Sequence, residues 1–177
     1  MEKKRKVPLL LTALAIGMFG FGFLFVPIYN SLCQTLGING KTNLNAVAYD
    51  ASKATIVKDR EVYVEFVATN NSGVPWDFYP KVSKLKVHPG EIARLAFYAE
   101  NKTKKRMTVQ AIPSVTPGIA AKYLKKTECF CFAQQTLEGH EGMNMPLLFH
   151  LDADLPAQVK TITLAYTLFD VTGRVTN

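Results

Sequence analysis

The sequence predicts an all-β domain carried behind one N-terminal membrane helix, and three observations lead there. Residues 7–28 contain no charged side chain. Beyond residue 44, apolar and polar residues alternate in short runs broken by Gly, Pro, Asn and Ser, which is the pattern of half-buried strands. No long segment of that region keeps the 3.6-residue apolar period of a helix. The expected divisions are a basic tail at 1–6, an anchor at 7–28, a juxtamembrane linker at 29–43 and an outer domain at 44–177.

The anchor comes first. Its 22 residues, at about 1.5 Å rise each, span roughly 33 Å, the depth of a bilayer core. Thr12 is its only clearly polar side chain. Lys3, Lys4, Arg5 and Lys6 precede it, so the positive-inside rule keeps the N-terminus in the cytoplasm and puts everything after Tyr29 outside. A cleaved signal peptide fits less well, because bulky Phe21, Phe23, Phe25 and Tyr29 stand where small residues are wanted. Asn30-Ser31-Leu32 before Cys33 is equally unsuited to lipoprotein processing. No Arg- and Ser-rich transit peptide is seen, which favours a bacterial inner membrane over a mitochondrial one.

Strands are then expected in order. A short one is predicted at 54–58. Val62, Val64 and Phe66 alternate with Tyr63 and Glu65 up to the turn cluster Asn70-Asn71-Ser72-Gly73. Trp76, Phe78 and Tyr79 lie between prolines and read as an edge or loop piece, the three together a core plug or a loop anchor. Leu85 and Val87 alternate with lysines, and His88-Pro89-Gly90-Glu91 has the residues of a type II turn. Strands follow at 92–98 and 107–112, a helical turn at 120–126, and strands at 129–134, 145–151 and 160–169. In the last of these Ile162, Leu164, Tyr166 and Leu168 share one face. Seven or eight short strands at this spacing indicate an immunoglobulin-like β-sandwich.

Composition excludes several classes. The net charge is +7, but residues 2–6 hold +3 of it, and no basic stripe interleaved with aromatics marks a nucleic-acid surface. Three cysteines, an odd number, argue against a disulfide scaffold. No G-x-S-x-G, C-x-x-C or phosphate loop supports catalysis.

The chemistry concentrates at Glu128-Cys129-Phe130-Cys131-Phe132. In an extended backbone the two cysteines project to one side and the two phenylalanines to the other. With the phenylalanines on the core, two thiols stand side by side outside. Paired thiolates suit soft metals, Cu(I) above all. Lys125 and Lys126 nearby would favour the thiolate. A disulfide between residues two apart requires a strained backbone, which argues for metal instead. The plainer reading is two small buried hydrophobes.

A blue-copper site is excluded, since the first histidine after Cys131 is His140, and a structural zinc site needs paired ligand spacings that are absent. Cys33 sits near the membrane surface, as an incidental thiol or as a ligand or redox partner. Met143 and Met145 share a face if extended; a thioether is a further ligand for Cu(I), and core filling is the simpler role. His88, His140 and His150 show no paired spacing and read as ordinary core or surface residues. Residues 102–106 read as a solvated basic turn.

These residues resemble the CtaG family of cytochrome c oxidase assembly factors, which deliver copper. The likeness runs through Val26-Pro27-Ile28-Tyr29 with Cys33-Gln34, Pro75-Trp76-Asp77-Phe78, Val87-His88-Pro89-Gly90-Glu91 and Ala96-Phe97-Tyr98. It continues through Val115-Thr116-Pro117, Cys129-Phe130-Cys131-Phe132 with Gln135-Thr136-Leu137, and Met145-Pro146. The resemblance implies an outward-facing immunoglobulin-like domain that binds Cu(I) through Cys129 and Cys131. It implies delivery to the haem-adjacent copper site of the oxidase catalytic subunit, by a homodimer supplied by a periplasmic copper donor. Cys33 matches a juxtamembrane cysteine credited with a part in transfer. Asn144, where an acidic residue is expected, and His150, where an aromatic is common, depart from the pattern. Against this Cu(I) chaperone stand a membrane-anchored thiol reductant and a plain adhesion or scaffold module.

Overall fold

A computed structural model describes residues 2–36 and 55–173 of the 177-residue chain. They divide into two units, one N-terminal and one from residue 40 onward, each with its own contacts.

The N-terminal unit is a helix, α1 (Glu2–Leu36). Within it Leu10–Tyr29 is long and apolar enough to cross a membrane, by length and composition. The helix does not stop where the apolar run does. It continues to Leu36, so the stretch expected to begin as linker at residue 29 begins as helix. Neither Pro nor Gly interrupts residues 28–36, which lets the helical hydrogen bonds run on. The remainder of the expected linker, with Gly37 and Gly40, lies outside the described residues.

The second unit is a two-sheet β-sandwich. Its strands are β1 (Val62–Asn70), β2 (Trp76–Pro80), β3 (Lys84–Val87), β4 (Ile92–Asn101), β5 (Met107–Thr116), β6 (Leu124–Cys129), β7 (Gln135–Leu137), β8 (Gly142–Leu151) and β9 (Thr161–Asp170). One sheet has the order β3-β1-β9-β5-β7 and the other β2-β4-β8-β6. All pairings are antiparallel except β1 with β9. The expected alternation sets the inner faces: Val62, Val64 and Phe66 of β1 and Ile162, Leu164, Tyr166 and Leu168 of β9 are all buried. Aromatic rings join the layers, Phe66 of β1 lying 5.8 Å from Phe149 of β8 and Tyr166 of β9 lying 5.2 Å from Phe97 of β4. Such pairs add about 0.5–1.5 kcal/mol each beyond their buried area.

Trp76 is buried and β2 is an edge strand, as its flanking prolines suggest. The turn at His88-Pro89-Gly90-Glu91 is present, with the Glu91 N–H donating to the His88 carbonyl at 3.0 Å and Gly90 at φ +87°. A Cβ on Gly90 would stand 2.1 Å from the Thr55 carbonyl oxygen, so glycine is needed there for space as well as for φ. Two expectations fail. Residues 55–58, the described part of the strand expected at 54–58, form no strand; the Val57 N–H instead donates to the Pro89 carbonyl beside that turn. The helical turn is confined to a 3-10 segment, Gly118–Lys122, and residues 124–126, read as part of it, belong to β6. There tertiary pairing with β8 overrides local propensity.

Candidate metal centre

The Cys-Phe-Cys-Phe motif is not a strand. Cys129 is the last residue of β6, paired with Leu147 of β8, and Phe130–Phe132 form one 3-10 turn. The register puts Pro146 opposite the next position, and proline has no N–H with which to continue a ladder. Side-chain amides replace it. Gln135 Nε2 donates to the Phe130 carbonyl at 3.1 Å, and Gln110 Nε2 of β5 donates to the Cys131 carbonyl at 2.9 Å. Two carbonyls that would be orphaned at the strand end are thereby satisfied.

The turn reverses the expected geometry. An extended chain would separate the Cα atoms of residues 129 and 131 by roughly 6.6 Å with their side chains parallel. The turn draws them to 5.1 Å, inside the range a disulfide spans, and the two sulfurs are bonded. The expectation of exposed thiols is likewise corrected: Cys129 is 6 % and Cys131 1 % exposed. Both phenylalanines were expected to take the core, and only Phe130 is fully buried while Phe132 packs at the margin. Phe130 wedges among Tyr166, Phe97 and Phe78 at ring separations of 4.8, 5.3 and 6.1 Å.

Cys129 Sγ receives two hydrogen bonds. The Cys131 N–H donates to it at 3.2 Å, and the Tyr166 hydroxyl, from the opposite sheet, donates at 3.2 Å. Burial pushes the Tyr166 phenol well above its ordinary range, so it stays a neutral O–H donor. Three residues up the strand, Lys126 is also buried, and burial pushes its ammonium down to about 8. Bonded as they are, the two sulfurs offer no thiolate; reduced, the turn would offer two soft sulfur donors, one of them beside two hydrogen-bond donors.

Met145 is fully buried on β8 opposite Phe97, two positions along from Leu147, and Met143 is partly buried. The Cys33 side chain lies outside the described residues. His88 Nδ1 is hydrogen-bonded to the Arg60 carbonyl at 2.8 Å, and His150 Nε2 sits 3.8 Å from Asp152 Oδ1 with its imidazolium disfavoured by burial. His140 occupies the left-handed region at φ +62° in the turn before β8. Among the described residues no group of three or more His, Cys, Asp or Glu forms a metal cluster.

Tyr166 and Gln110 were not singled out from sequence as site residues. A tyrosine on an otherwise aliphatic inner face is a usable signal, since its buried hydroxyl must find a partner. Gln110 is 21 residues from the carbonyl it holds, and nothing local announces it.

Comparison with known proteins shows the family. Residues 25–170 match the family described as cytochrome c oxidase assembly protein CtaG/Cox11. A cytochrome c oxidase assembly protein CtaG of Mesorhizobium japonicum is 38% identical over 96% of this chain and 82% of its own length. The CtaG of Rhizobium meliloti is 35% identical over 89% of this chain and 79% of its own. A mitochondrial cytochrome c oxidase assembly protein, COX11 of Homo sapiens, is 35% identical over 96% of this chain and 64% of its own length. With a family match over most of its length, the chain belongs to the CtaG/Cox11 family of cytochrome c oxidase assembly proteins.

Proposed function

We propose that this protein is a membrane-tethered Cu(I) carrier that loads the haem-adjacent copper site of the oxidase catalytic subunit during assembly. The observation that carries the reading is the single turn that brings Cys129 and Cys131 together in a chain of this family. Copper is the cargo. Binding first requires reduction of the disulfide by an external dithiol, which gives up two electrons and two protons and becomes a disulfide itself; both thiols then release their protons to solvent as the metal binds. Two thiolates suit Cu(I) and leave its coordination low, so an incoming ligand can attack without dismantling a closed shell. A second chain in a homodimer, Cys33 or Met145 would supply further sulfur ligands.

Orientation follows from Lys3, Lys4, Arg5 and Lys6, which hold the N-terminus in the cytoplasm and the sandwich outside the bacterial inner membrane, within reach of a periplasmic copper donor. The anchor confines the search for a membrane-embedded recipient to two dimensions. The protein acts as a carrier and not as an enzyme. In cells carrying Cys129→Ser, oxidase activity and oxidase copper content fall together; a fully copper-loaded oxidase in those cells refutes the delivery role.

The disulfide itself favours a second reading, a membrane-anchored thiol reductant that keeps the cysteines of other copper sites reduced. It oxidises Cys129 and Cys131 while reducing one disulfide of a partner. The readings separate on one assay: the reductant works when copper is stripped with a Cu(I) chelator, and the carrier does not.

A further inference from the structure

We propose that the disulfide opens with a fixed direction: an external thiolate bonds to Cys131 Sγ, and Cys129 Sγ leaves as a thiolate held by the Tyr166 hydroxyl. This rests on the reading above that the pair is reduced before it works. Two features on different elements single out the same sulfur. The first is hydrogen bonding. Among the described residues both hydrogen bonds to the pair fall on Cys129 Sγ, from the Cys131 N–H and the Tyr166 hydroxyl, each at 3.2 Å. A sulfur bonded to sulfur carries no proton, so the hydroxyl is the donor. A departing thiolate gains more from that donor than the neutral disulfide does, because hydrogen bonds to charged groups are roughly twice as strong. Tyr166 belongs to β9 of the opposite sheet, its ring 5.2 Å from that of Phe97 and 4.8 Å from that of Phe130. The donor therefore stays in place while bonds within the cysteine turn rearrange.

The second feature is where the backbone is anchored. Cys129 ends β6 and is paired with Leu147, whereas Cys131 lies beyond that last rung, its carbonyl held by the Gln110 amide at 2.9 Å. Both cysteines are buried, so a thiolate reaches either sulfur only after the chain moves. Moving residue 131 breaks side-chain hydrogen bonds, while moving residue 129 breaks a rung of the sheet and the Tyr166 contact as well. The turn thus presents Cys131 and keeps Cys129 seated under Tyr166. The reductant is a dithiol. One of its thiolates forms a bond to Cys131 Sγ, the Cys129–Cys131 bond breaks, and the electron pair of that bond passes to Cys129 Sγ. The second sulfur of the dithiol, also as a thiolate, then attacks the first and expels Cys131 as a thiolate. The dithiol ends as a disulfide, and the two protons it gave up pass through solvent to the cysteine pair.

A hydrogen bond to a charged group is worth roughly ten- to a hundredfold in an equilibrium. About half of that is felt while the S–S bond is half broken, so Tyr166 should speed opening by roughly three- to tenfold. The test uses the full chain in detergent, copper-free and oxidised, with Cys33 alkylated beforehand. Glutathione, a monothiol that stops at the first step, is added, and the reaction is quenched early with excess N-ethylmaleimide. Peptide fragmentation in a mass spectrometer then places each adduct. In the wild type glutathione should sit mainly on Cys131 and maleimide on Cys129. Tyr166→Phe should open roughly three- to tenfold more slowly, with the ratio of Cys131 to Cys129 adducts falling by the same factor. A hydroxyl that only steadied the fold would give the opposite sign, since a looser turn opens faster. Equal or faster opening in Tyr166→Phe therefore overturns the proposal. Glutathione mainly on Cys129 in the wild type overturns it whatever the variant does, which keeps the test decisive if Tyr166→Phe fails to fold. A reduced wild type that takes up no copper contradicts the carrier reading alone and leaves the adduct result standing.

Discussion

Replacing Phe130 by alanine tests whether the cysteine turn is built as described. Phe130 is buried against the rings of Tyr166, Phe97 and Phe78, which come from both sheets. Removing a buried phenylalanine leaves a cavity and costs about 3–5 kcal/mol. The upper half of that range applies, because three aromatic contacts are lost and the rings facing the cavity are held by their own strands. Phe132, only partly buried at the margin of the core, should cost about 1–2 kcal/mol on the same replacement. Urea unfolding of the reduced, copper-free chain, followed by tryptophan fluorescence from buried Trp76, measures both. A regular extended strand would bury Phe130 and Phe132 alike. Equal losses for the two variants, or a Phe130→Ala loss below about 1.5 kcal/mol, would refute the turn.

Other consequences follow from residues around the core. Asn101 is fully buried, donates to the carbonyls of Lys105, Leu137 and Glu138, and accepts from Thr103, so Asn101→Leu should cost about 2–3 kcal/mol in urea unfolding by leaving those groups unpaired. Gly90→Ala forces a Cβ into the Thr55 carbonyl at a positive φ and should lower the thermal midpoint by several degrees, with a loss of about 1–3 kcal/mol. Tyr166→Phe keeps the ring and deletes the donor to Cys129 Sγ, for a loss of about 1 kcal/mol; a change below about 0.3 kcal/mol would mean the hydroxyl contributes nothing there. Lys126 gives a pH signature. Its folded pKa of about 8 lies below the ordinary 10.5, so between these values the unfolded chain binds more protons and stability rises with pH. The difference between wild type and Lys126→Met should therefore shrink from pH 7 to pH 10, and a constant difference would contradict it.

Much of the sandwich was legible because its strands obey the period of two: the buried faces of β1 and β9 are those the alternation marks, and the Pro-Gly turn before β4 declares its own φ. What misled was the motif itself. Cys-Phe-Cys-Phe alternates perfectly and reads as a strand, yet the strand ends at Cys129 because Pro146, on a neighbouring chain segment 17 residues away in sequence, offers no N–H. Pairing partners decide strand ends, and single-strand patterns do not contain them. The inward turn of Lys126 has the same origin, since a bulge is a mismatch of register between two strands. Cys129 and Cys131 are the two residues the turn brings together, but buried and bonded to each other where open thiols were expected.

The most direct measurement is the copper content of the reduced full-length chain after anaerobic loading with Cu(I), with Cys129→Ser and Cys131→Ser beside it. Uptake lost in either variant is the predicted result, because each sulfur is half of the proposed two-thiolate site. Undiminished copper in the chain lacking both cysteines, or none in the reduced wild type, would contradict the assignment of this turn as the copper site.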